Sequence, residues 1–345
     1  MAVRPRLRRM NLPLRDRLDP VAPLAAAWLG GWGVLALVST LTGAGYPFGA
    51  NDPHGGDAAG LLRLVPVSVG PPLFAAVLLT AAVAALAMTG TSIRPSRPLR
   101  ALITGYAATV ALALAVVVPG MRVLALLGYA PMLIIGAPFG WPPVDYAELF
   151  TWPLFARFAA LAGGMLLAGA LVRWRRQVAD GPAPAWTTPA SAARWGRWAA
   201  WTAAVVPVLY ALTRFAWLFD IPLGMTRETL AEMRADGAVW AGAGLGAFAV
   251  VGAVLTLGLV ARWGERFPRW LPGLAGRPVP VLLAVVPAGL VALAVLAASL
   301  DLLAAPEFAD LIREGNSAAL PMALWPVWAV ALAAAAYAYQ LRRRA

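Results

Sequence analysis

The chain has 345 residues, 61% of them hydrophobic and 13% charged, with a mean hydropathy of +0.73 and a formal net charge of +12. Soluble domains carry about 25% charged residues, so this composition excludes an ordinary soluble domain and indicates an integral membrane protein. All 28 basic residues are arginines placed in short segments between apolar runs, which argues against nucleic acid as a partner, and the absence of cysteine excludes disulfides, thiol catalysis and thiolate metal sites.

In chain order, a basic tail at 1–20 carries Arg4, Arg6, Arg8, Arg9, Arg15 and Arg17. The apolar stretch at 21–45 is too long for a signal-peptide core and is followed by further spans, so it reads as a first crossing. A crossing needs about 20 apolar residues. Clear ones lie near 21–44, 70–90, 101–119, 151–172, 198–219, 239–261, 278–299 and 318–340. The run 123–138 is shorter, is broken by Gly128 and Pro131, and follows Pro119-Gly120.

Arginine placement orients the spans. With the N-terminal tail inside, the loops at 91–100, 173–197 and 262–277 and the tail Arg342-Arg343-Arg344 also fall inside. That side then holds 21 of the 28 arginines and 4 of the 16 acids, a balance of +17 against −5 for the rest. Both termini are cytoplasmic on this reading, in a bacterial cell membrane, and the crossings must be even in number. A full crossing at 123–138 would throw Arg173-Trp174-Arg175-Arg176 outside. The sequence therefore predicts an all-α integral membrane protein with eight transmembrane helices and one re-entrant or half-membrane segment at 119–140, turning near Pro131. The membrane halves are 21–172 and 198–340, joined by a linker at 173–197 containing Gly181-Pro182-Ala183-Pro184; a short tail, 341–345, closes the chain.

Three outer connections share a motif: Tyr46-Pro47-Phe48-Gly49, Ala137-Pro138-Phe139-Gly140 and Ile221-Pro222-Leu223-Gly224, each followed by acids. Proline stops a helix and glycine permits the turn after it, and the recurrence implies repeated helix pairs. Helices are also expected in the outer connections. One is 306–314, with Phe308, Leu311 and Ile312 on one face; the other is 225–236, capped by Thr226. On the inner side Arg and Trp recur together, as in Arg173-Trp174, Arg194-Trp195 and Arg262-Trp263, the pattern of headgroup anchors.

Charges inside spans are candidate functional groups. Arg157 lies about two turns below the outer end of its span and Arg214 about one turn below the outer end of the next. Arg157 either pairs structurally with Asp145 or Glu148 or joins Arg214 in lining an outward cavity for a small polar or anionic ligand; Arg214 also has the snorkelling alternative. Trp141, Tyr146, Trp152 and Trp217 would rim that cavity. His54 with Asp52 and Asp57 sits in a Gly/Pro-rich stretch that reads as a turn, and no metal or cofactor motif is present. No nucleophile–base pair is identifiable either, which leans against an enzyme.

GAPFGWPPVDY (136–146) and RWGERFPRWLPGLAGRPVP (262–280) resemble a family of actinobacterial multi-pass membrane proteins to which no activity is attached. The resemblance implies a membrane location. A CxxC pair common in that family near 177–190 is absent here, so no metal role carries over. The leading functional expectation is a transporter-like or small-molecule- or lipid-binding membrane protein; the alternative is a non-catalytic accessory subunit that packs against a membrane-protein partner.

Overall fold

The computed structural model describes residues 20–44, 61–66, 68–89, 95–140, 145, 149–178, 184–313 and 317–343. The first outer motif, the His54 cluster, Trp141, Tyr146 and Glu148 lie outside these residues. The longer helices are α1 (Val21–Thr42), α2 (Gly70–Ala87), α3 (Arg97–Leu112) and α4 (Gly120–Gly136), then α5 (Trp152–Val178), α6 (Pro189–Leu218), α7 (Arg227–Ala235) and α8 (Ala238–Gly258), then α9 (Val281–Ala304), α10 (Pro306–Arg313) and α11 (Trp325–Arg342). No strand occurs among the described residues. Their backbone groups are satisfied within each helix, which is what a lipid environment demands. The chain is a polytopic α-helical membrane protein.

Small residues set the helix registers. A Cβ on Gly33 would sit 2.9 Å from Leu79, and one on Gly30 3.8 Å from Ala82, so α1 and α2 run antiparallel. Trp28 donates its indole N–H to the Ala159 carbonyl at 2.9 Å while Trp32 stacks on Trp152 at 5.6 Å, which sets α5 antiparallel to α1. Arg100 reaches the Val178 carbonyl at 2.8 Å, and Gly164 lets Ala111 and Ala115 approach, so α3 also opposes α5. In the second half, Gly246 lies against Ala211 and Gly242 against Arg214, pairing α6 with α8. Gly196 lies against Ala338, and Ala192 clusters with Leu341, setting α11 antiparallel to α6. Arg343 binds the Val279 carbonyl at one end of α9, and Trp325 packs on Ala298 near the other. Apolar cores form among α1, α2, α3 and α5 and among α6, α8, α9 and α11.

These pairings gather the starts of α1, α3, α6 and α9 and the ends of α2, α5, α8 and α11 at one end of the bundle. Arg97, Arg100, Arg173, Arg175, Arg176, Arg194, Arg197, Arg262, Arg266, Arg269, Arg277, Arg342 and Arg343 lie there, with Glu265 as the acid among the described residues. The opposite end carries Asp145, Asp220, Glu228, Glu232, Asp236, Glu307 and Asp310.

Nine helices among the described residues are long and apolar enough to cross a membrane, and the span Gly120–Phe139 is one of them. Its neighbours place it differently from the other eight. It begins beside Arg157, near the start of α5, and Asp301, near the end of α9. Its middle, Gly128, lies 3.4 Å from Leu245, about two turns into α8. Leu133 shares a cavity with Thr151 and Leu154 at the start of α5. Every one of these anchors belongs to the acidic end, where α3 stops and α5 starts. These contacts lie toward the acidic end, and the other eight long helices alternate in direction around α4. α4 itself is one continuous helix through Pro131, not a loop that turns back there. A proline in a helix removes one hydrogen bond, which kinks the helix but need not reverse it.

Two outer turns follow the expected chemistry. Pro138-Phe139 forms a short 3-10 turn ending at Gly140 with φ +67°, and Pro222-Leu223 ends at Gly224 with φ +79°. Thr226 caps α7, accepting the Thr229 N–H at 3.2 Å. Phe308 of α10 is buried, whereas Leu311 is exposed.

At the basic end the segment 262–280 folds into a clasp. Phe267 N–H binds the Arg277 carbonyl, and Val279 N–H binds that of Glu265. Tyr339, fully buried, donates to the Gly264 carbonyl at 3.0 Å. Arg342 pairs with Glu265 at 3.0 Å and caps the Leu259 carbonyl, while Arg343 binds the Glu265 and Val279 carbonyls. Trp174 departs from the anchor pattern. It is 2% exposed, packed in the core of the first helices, while Arg173 stays outside.

Candidate functional site

The junction between α3 and α4 concentrates the buried charge. The end of α3 widens into a π-helical turn at Ala113–Val117, and the helix breaks at Val118-Pro119. That break frees carbonyls on one side and N–H groups on the other. Arg157, 2% exposed, donates Nη1 to the carbonyls of Val118 (3.2 Å) and Pro119 (3.4 Å). Asp301, 8% exposed, accepts the Met121 N–H at 2.8 Å and the backbone N–H of Leu61. The two charges also interact with each other. Gly120 sits between them with φ +63°. A Cβ there would lie 2.5 Å from Asp301 Oδ2 and 3.1 Å from Arg157 Nη1, so both the backbone and the space require glycine. An anionic carboxylate at a helix N-terminus is also favoured by the helix dipole.

Beside this junction lies an open cavity of about 470 Å³. One face of α4 forms a wall: Arg122, Ala125, Leu126, Tyr129 and Leu133, at the helical spacing of one stripe. Leu149, Thr151 and Leu154 face it. Among the described residues the lining therefore combines Arg122 and two hydroxyls, of Tyr129 and Thr151, with aliphatic side chains. The other face of α4, Leu124 and Leu127, packs against Leu290, Leu293 and Leu296 of α9.

Arg214 lies on α6 outside the cavity wall. Its guanidinium rests between the rings of Tyr210 and Trp217, 4.2 and 4.1 Å from their centroids, and donates to Thr213 Oγ1 at 3.2 Å. Aromatic faces stabilise a desolvated guanidinium by roughly 2 kcal/mol. Tyr129 lies within electrostatic range of both Arg214 and Tyr210, linking the cavity wall to this second cation.

The structure thus places Arg157 and Arg214 in different surroundings. Asp145 is exposed, and its carbonyl accepts the Leu149 N–H at 3.2 Å. Tyr146, Glu148 and Trp141 lie outside the described residues. Trp152, half exposed, stacks on Trp32 and Phe155, and Trp217 is buried with its indole N–H on the Leu223 carbonyl. Sequence reasoning missed Arg122, Tyr129 and Asp301. Arg122 was visible as a lone cation at the start of an apolar run. Asp301 was visible as a single acid before Leu302-Leu303, had the span been carried past residue 299.

The chain matches no protein-family model, and no curated protein or solved structure is significantly similar to it. The actinobacterial resemblance therefore rests on its two motifs alone.

Proposed function

We propose that this is a non-enzymatic, transporter-like membrane protein that binds an amphiphile with an anionic headgroup, taken from the outer leaflet. The observation that carries the reading is the open cavity beside α4. Its polar groups, Arg122, Tyr129 and Thr151, suit an anionic head, and its leucines suit an acyl or other apolar chain. The cavity belongs to the acidic end. With the arginine-rich end in the cytoplasm of a bacterial cell, that end faces outward, and both termini are cytoplasmic.

The test is thermal unfolding in nanodiscs, followed by the fluorescence of the 15 tryptophans, with added phosphatidylglycerol or phosphatidylcholine. Phosphatidylglycerol should stabilise the parent more, and Arg122→Gln should remove the difference. Equal stabilisation by both lipids, or a difference that survives Arg122→Gln, would overturn the reading.

The accessory-subunit alternative has one supporting observation. Gly244 and Gly252 of α8 have open space where a Cβ would sit, leaving room beside Phe248 for a partner helix to pack. Gly242 and Gly246, the GxxxG pair, are consumed inside the chain against Arg214 and Ala211. A stable co-purifying membrane protein lost on Gly252→Leu would favour this alternative.

A further inference from the structure

We infer that Asp301 and Arg157 form a latch that positions α4, so that the cavity's shape is set by two residues outside its walls; the ligand readout of this inference rests on the amphiphile-binding reading above. Asp301 is the one carboxylate within the membrane-spanning helices among the described residues. A lone intramembrane acid is costly and calls for a reason. Here it collects three separate parts of the chain: Met121 at the start of α4, Leu61 in the turn before α2, and Arg157 of α5. Arg157 in turn holds the carbonyls that end α3.

Neither charge lines the cavity, yet each stands next to a residue that does. Met121 is followed by Arg122, and Leu154 lies one turn before Arg157. The other contacts of α4 with α9 join Met121, Val123, Leu124 and Leu127 to leucines, valines and Ala294, and such apolar contacts are non-directional. Hydrogen bonds from Met121 and to Val118 and Pro119 are directional and fix one register. Setting a register is the best-attested use of a buried polar group. The π-helical turn just before the junction places an adjustable segment where α4 is hung, and such turns recur at functional sites. The latch residues are therefore positioning residues, and Arg122 and Tyr129 make the contact with ligand.

The experiment uses the cysteine-free chain. Spin labels go on Ile134→Cys, exposed on α4, and Phe219→Cys, exposed beyond the end of α6. Distances are measured in nanodiscs for the parent, for Asp301→Asn, for the double variant Arg157→Leu/Asp301→Leu, and for Gly120→Ala. The parent should give one narrow distance. The variants should give a shifted or broadened one, with phosphatidylglycerol stabilisation requiring at least about tenfold more lipid. A folded double variant with the parent's distance and lipid response would overturn the latch. Displacement of α4 without any lipid response in the parent would keep the latch and overturn the amphiphile reading. Unfolding of all three variants would overturn it too, because the latch is assigned to α4 and not to the integrity of the bundle.

Discussion

Gly120 shows how much one missing Cβ decides. Its positive φ alone would cost an L-residue about 1–2 kcal/mol, and the methyl group of Gly120→Ala would also meet Asp301 and Arg157. The melting temperature of Gly120→Ala should fall more than that of Gly244→Ala, where nothing lies within 4 Å. Arg157→Leu removes a buried cation that stands beside Asp301 at Gly120. Breaking a buried pair costs about 3–5 kcal/mol, whereas replacing both partners with apolar residues is often close to neutral. Arg157→Leu should therefore lower the melting temperature markedly, and adding Asp301→Leu should recover most of the loss. Additive losses would show that the two residues do not interact. Arg157 was legible in the sequence as a cation too deep to be idle. Its neighbour was not, because Asp301 is 144 residues away along the chain and only folding brings the two to one junction.

At the scale of elements, capping explains the ends of the outer and inner segments. Thr226→Ala removes the N-cap of α7 and should cost about 1 kcal/mol, seen as faster amide exchange in Arg227–Ala235 than in α8. The Glu228 carboxyl is held below its ordinary value of 4.5 by its own backbone N–H and by the Thr226 hydroxyl. A depressed carboxyl stabilises the folded state above its unfolded value and loses that contribution as pH falls through the lowered one. Protection of α7 should thus weaken on acidification below about pH 4.5, and Thr226→Ala should flatten that dependence. At the other end, Tyr339→Phe deletes the hydrogen bond to Gly264 and should cost about 1 kcal/mol. An unchanged melting temperature would mean that Arg342 and Arg343 hold the clasp unaided. Thr226 and the Pro-Leu-Gly turn were readable because caps and turns are local chemistry. The clasp was not, since Arg342 and Arg343 looked like a solvated basic tail until the fold brought residues 259–279 to them.

For the whole molecule the decisive quantity is the number of crossings. Eight alternating helices return the end of α11 to the face where α1 begins. Reporter fusions at residues 185 and 345 should both give cytoplasmic signals, and an external signal from either would overturn the orientation. Cysteines at Arg122 and Phe139 should both react with an impermeant reagent added outside, because the cavity is open and Phe139 is 82% exposed. Reaction at one position only would make α4 a ninth crossing.

The all-α, multi-pass character of the chain and the positions of its long apolar helices were determined by the sequence alone. Apolar runs of sufficient length must be helical in lipid, because no water is there to satisfy their backbone groups. The same sequence reading misjudged the form of 119–140, since Gly128 and Pro131 suggested a turn where the chain stays helical. Packing decided that, along with the burial of Trp174, the convergence of Arg157 and Asp301 on Gly120 and the placing of Arg122 in the cavity wall. Local signals report backbone preference and membrane depth. Which face of a helix meets which neighbour depends on the close approach of small residues such as Gly120, Gly164 and Gly246, and those contacts exist only in the folded bundle.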